Sequence, residues 1–220
     1  MSAEARPDGV RDENLAAWMR IGIVSGLVAC FAYPIMILVP LPRIPQLILG
    51  ASFGPALATA CVALARVLQS RRRAPSLELA AIFNALAGAL VTAMIIVQMA
   101  INYSTAPAAD AQLLSALKPR LWDVVLGLDV SFDVFIGLGT LLFAMNMLRD
   151  PRFGRIIGWA GMFVAIVPLL GANIYYFPDP PYVRGFPHVG IFTGLWYLAV
   201  VIMMLRVLLR ERSNGHGGVN

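Results

Sequence analysis

Apolar residues run along the chain in six long blocks, each interrupted by a short interval of charged, proline-rich or glycine-rich sequence. An α-helix needs about 20 mostly apolar residues to cross about 30 Å of hydrocarbon. The stretches 17–38, 46–68, 78–101, 121–147, 154–176 and 188–209 meet that length. They predict an all-α, polytopic six-transmembrane-helix bundle over 17–210. An N-terminal segment, 1–16, precedes the bundle. A tail, 211–220, follows it, and its "SNGHGGVN" has nothing to bury and is expected to be disordered. The intervals are too short for a separate soluble domain.

Composition strengthens the membrane reading. Of the 220 residues, 59% are hydrophobic and 13% charged, against about a quarter charged in soluble domains. The net charge of +5 is spread between loops rather than gathered on one face, which argues against a nucleic-acid partner. Its distribution carries topology instead. Arg43, Lys118, Arg120 and Arg184 lie on one side, and every other basic residue falls at the termini or in the intervals around 66–73 and 149–155. Short loops rich in Lys and Arg stay in the cytoplasm, so both termini are expected there. The first apolar block is too long for a signal peptide and begins after an acidic "DEN". With no organellar targeting pattern, the expected location is the inner (plasma) membrane of a bacterial cell.

Four pairs, Gly22/Gly26, Gly50/Gly54, Gly154/Gly158 and Gly190/Gly194, have GxxxG spacing. Such faces let helix backbones approach closely. In a chain with six spans they are expected to serve internal packing, and oligomeric state is left open. The lipid bilayer is the expected partner. "QSRRRAPS" supplies an anchor at Arg71, Arg72 and Arg73 that would also suit anionic lipid head groups. Leu113, Leu114 and Leu117 fall on one side of a helix, predicting a short interfacial element before the fourth span. "YYFPDPPYVRGFPH" reads as an aromatic, proline-stiffened lid.

The fourth span contains the candidate chemistry. In "GLDVSFDVF", Asp129 and Asp133 are one helical turn apart and leave the same face. If the span starts at Leu121, a rise of about 1.5 Å per residue places them about 12 and 18 Å along it. A charged Asp at the centre of a lone span costs about 2.5–3.5 kcal/mol on insertion scales, so this face is expected to point into the bundle. No Lys or Arg lies deep in any span. Without a counter-ion, the two acids are expected to hold a proton between them. Asn84, Gln98 and Asn173 are the main candidate supporting groups, with Thr92, Ser131, Thr140 and Tyr33 as further polar positions. His188 opens the sixth span near the aromatic loop. Two readings stay open: a structural polar pair in a non-enzymatic membrane component, and a proton or cation site in a small-solute transporter.

Enzyme chemistry is disfavoured. His188 and His216 are the two histidines, and paired Cys ligands are missing, so no metal site is expected. No GxSxG elbow, Walker loop or dinucleotide fingerprint occurs. No cofactor is expected. The stretch "FDVFIGLGTLLFAMNMLRDPRFGRIIGWAGMFVAIVPLLGANIYYFP" resembles a group of six-helix bacterial membrane proteins of unassigned activity, over about residues 128–178. There, an acidic, Gly-containing fourth helix meets a basic turn before a Gly-rich fifth helix ending in "FP". Gly154 stands where that group usually has Pro. The resemblance implies a six-helix bundle and lends no activity.

Overall fold

The computed structural model describes residues 8–105, 107, 110–179, 181–186 and 188–216. Helix α1 covers Asp8–Leu38, α2 Arg43–Gln69, α3 Pro75–Tyr103 and α4 Ala111–Met147. The fifth span is composite: α5 (Gly154–Val164), a π-helical stretch (Ala165–Ala172) and one α-helical turn, α6 (Asn173–Tyr176). A 3₁₀ turn at Pro181–Arg184 leads to α7, Gly190–His216. Among the described residues there is no strand, and six helical segments are long and apolar enough to cross a membrane. The protein is an integral, multi-pass α-helical membrane protein.

Each helix packs on the next, and α7 closes the ring between α5 and α1. Neighbours run in opposite directions. A Cβ on Gly22 would crowd Ala63, and one on Gly26 would approach Ala60, so α1 rises as α2 falls. Gly54 and Gly88 lie so close that a Cβ on either would overlap the other's carbonyl, which brings the α2 and α3 backbones together. The start of α1 and the end of α7 therefore lie at one end of the bundle, here called the terminal end, together with Arg71, Arg72 and Arg73. The opposite end carries residues 39–42, 104–105, 177–179, 181–186 and 188–189, and is called the loop end.

Three expectations are corrected. The interfacial helix is not separate: Leu113, Leu114 and Leu117 belong to the first turns of α4, which runs unbroken for 37 residues. No glycine interrupts the Ala/Leu/Gln-rich start, whose composition favours helix, and Pro119 only forgoes the bond to the carbonyl four residues back. Helix α7 continues to His216 and covers part of the stretch expected as a disordered tail. Extending an existing helix gains a hydrogen bond for each residue fixed. Residues 217–220 lie outside the described residues. Lastly, Gly154 is not part of a packing face. Its φ of +79° turns the chain into α5, and Gly158 and Gly161 meet Leu148 and Trp196 instead.

At the terminal end, the α4–α5 turn is clamped to α2. Asp150 (7% exposed) accepts from the Arg152 backbone N–H (2.9 Å) and from Arg152 Nη2 (2.7 Å). The same guanidinium donates to the Val67 carbonyl (2.7 Å) and the Ser70 hydroxyl (3.2 Å). Burial alone would raise the Asp150 carboxyl. The hydrogen bonds from Arg152, its charge and that of Arg71 outweigh burial and hold it below the ordinary range.

Candidate functional site: an acid-lined cavity

A cavity of about 590 Å³ lies among α1, α2, α3, α4 and α7. Asp129, Asp133 and His188 all line it. Its remaining walls are mainly apolar, with Leu57, Met94, Phe132, Ile136 and Val201 among them. The 3.6-residue period of α4 turns both carboxylates inward. Asp133 is the deeper, at 4% exposed, and Asp129 is half-buried. Asp129 lies within electrostatic reach of both Asp133 and His188. Among the described residues, the ion pairs of arginine are with Asp123, Asp150 and Asp179, and none reaches either cavity acid.

Asp133 is held from behind. Asn173 Nδ2 donates to Asp133 Oδ2 (2.8 Å) and to the Leu169 carbonyl (2.8 Å), committing both amide hydrogens. Asn173 stands away from the cavity wall, on the fifth span. Pro168 explains its placement. A proline in a helix interior lacks an N–H and clashes with the carbonyl one turn back, and here the backbone widens into π geometry around it. Gly137 lets α4 approach: a Cβ there would press on Leu169 and Leu170 at 3.1–3.3 Å.

Asn84 is fully buried but does not support the acids. Its Oδ1 accepts from the Tyr197 hydroxyl (2.6 Å), and its Nδ2 donates to the Ala80 carbonyl (2.8 Å). With the Tyr197 proton committed, the Thr140 hydroxyl is the donor in the 3.0 Å contact between them. A Cβ on Gly139 would overlap Asn84, so that glycine makes room for this node. Gln98 is half-buried and off the cavity wall. Thr92 and Ser131 bond back to carbonyls of their own helices. The structure thus brings together Asp129, Asp133, His188 and Tyr33 around the cavity, adds Asn173 from outside, and leaves Asn84 and Gln98 elsewhere.

Sequence reasoning missed Tyr197, Cys30, Cys61 and Thr193 as cavity residues. Tyr197 lies four positions after Thr193 in the otherwise apolar first half of α7, one turn along the same face. That polar spacing was its available signal. The two cysteines carried none, since buried thiols are ordinary packing residues. Among the described residues, no group of three His, Cys, Asp or Glu could hold a metal ion.

No family model matches the chain, and neither a curated protein nor a solved structure is similar to it.

Proposed function

We propose that this protein is a carrier of a small solute, coupled to a proton or a cation, with Asp129 and Asp133 as the coupling site and His188 near the mouth. The observation that carries this reading is the cavity that reaches both acids. A purely structural acid pair gains nothing from 590 Å³ of adjoining space, and intramembrane acids facing such space commonly mark ion or substrate paths. Deprotonation of the pair would offer counter-charge to a cation, and protonation would release it. The bond from Asn173 supports the second reading, in which the pair is a structural element of a non-enzymatic membrane component.

The arginine distribution supports a terminal end facing the cytoplasm, and the inner (plasma) membrane is the location that belongs to this reading. Arg71, Arg72 and Arg73 are exposed together at that end and would meet anionic lipid head groups.

The test is to reconstitute the protein and its single Asp129→Asn and Asp133→Asn variants in vesicles, following proton flux together with folding stability. The carrier reading expects flux that either substitution reduces while the protein stays folded. Flux unaffected by both substitutions in intact protein would leave the structural reading.

A further inference from the structure

The cavity is not sealed from the side of the bundle. Its wall includes deeply buried residues such as Cys61 (1% exposed) and Asp133 (4%), and also Phe31 (49%), Ile191 (61%) and Leu195 (60%), which face outward from α1 and α7. One continuous space therefore joins the acids to the surface that lipid tails would cover.

The seam between α1 and α7 differs along its length. Toward the terminal end it is shut: a Cβ on Gly22 would meet Met204 at 2.6 Å, and one on Gly26 would meet Val201 at 2.5 Å. Toward the loop end, a Cβ on Gly194 would meet nothing within 4 Å. There Cys30 Sγ donates to the Gly194 carbonyl at 3.9 Å. The small residues close the seam in one half and leave it open in the other.

Resting on the carrier reading, we propose that the ligand is a lipophilic amine, a single protonated nitrogen on an apolar body, which enters sideways from the bilayer between α1 and α7. Both ends of the space fit that chemistry. Two carboxylates without an Arg or Lys mate, only the shallower of them within electrostatic reach of His188, suit a cation at the inner end, and Phe31, Leu195 and the apolar walls suit a hydrocarbon body at the outer end. The volume falls within the range of small-molecule sites, about 300–1,000 Å³. A hydrophilic cation would need an aqueous route, whereas a lipophilic amine concentrates in the bilayer beside the opening.

The experiment measures binding to the full chain in nanodiscs of zwitterionic lipid with three probes: dodecylamine, dodecanol and methylamine. Dodecylamine is expected to bind saturably, with both other probes weaker by at least about tenfold, the factor that corresponds to 1.4 kcal/mol. Asp133→Asn, which preserves an acceptor for Asn173, is expected to erase the preference for the amine over the alcohol. Gly194→Trp fills the open part of the seam and is expected to slow dodecylamine association by about tenfold or more while the melting temperature holds. Equal binding of dodecanol and dodecylamine would overturn the proposal. So would an unchanged association rate in Gly194→Trp. Methylamine binding or flux that depends on Asp133, with no preference for dodecylamine, would overturn lateral entry and leave the carrier reading standing. Loss of every Asp133-dependent signal would overturn both.

Discussion

Two buried aspartates in one stretch of chain have opposite surroundings. Asp150, at the terminal end, receives a backbone N–H and a guanidinium that is itself tied to Val67 and Ser70. Asp133, in the middle of α4, receives one neutral amide, has Asp129 as its charged neighbour and borders the cavity. Their exposures are nearly equal, 7% and 4%, so burial alone does not distinguish a clamp from a site. The difference lies in what meets the acid. A carboxylate whose neighbours are all spoken for fastens two helices. One left with a cavity on its second side is available to something that comes and goes.

The largest effect is expected at the clamp. Arg152→Met leaves Asp150 buried without its mate, and breaking a buried pair from one side costs about 3–5 kcal/mol. Unfolding in detergent would measure it. A loss well below that range would mean the clamp is no tighter than the site, and the contrast would fail. Asp150→Asn in the Arg152→Met background is expected to recover part of the loss, since the orphaned charge is removed.

Next comes Asn173→Leu, which takes away the neutral donor of Asp133. An unsatisfied buried acceptor costs about 1–3 kcal/mol, a smaller penalty than at the clamp. The same measurement gives the comparison directly.

Acid sharpens the contrast further. Because the folded protein holds the Asp150 carboxyl below its ordinary value of about 3.9, that pairing contributes stability above the ordinary value. The contribution fades as pH falls through the lowered one. The stability difference between the wild-type protein and Asp150→Asn is therefore expected to shrink on acidification, as followed by unfolding at stepped pH.

The smallest stability effect is expected for Asp133→Asn, within about 1 kcal/mol, because an Asn oxygen still accepts from Asn173. If its cost matched that of Arg152→Met, Asp133 would be a structural clamp in its own right.

The division between site and clamp was only half legible in the sequence. The six spans stood out because lipid demands unbroken apolar length. Asp129 and Asp133 stood out because acids are costly in such runs. Their inward direction followed from helical period. Arg152, by contrast, looked like one more topological arginine, since nothing local reveals that a turn with a positive-φ glycine folds it back over α2. Asn84 and Asn173 had equal claims as partners of the acids. The choice between them came from Gly139, which seats Asn84 against α4 beside Tyr197, and from Pro168, which sets the helical phase of Asn173. Those are relations between distant segments, and one chain read alone does not carry them. The separate interfacial helix failed as an expectation because an amphipathic stripe marks a helix without marking where it ends.

The widened coil around Pro168 gives the fifth span a property that a regular helix lacks. Successive residues of an α-helix are turned by about 100° around its axis. Were the loosened winding to tighten by one residue, Asn173 would swing through that angle and its amide would leave the carboxyl it now holds. The grip on Asp133 is thus set by a phase, and Leu169 and Leu170, which meet α4 at Gly137, would have to move with any change in it.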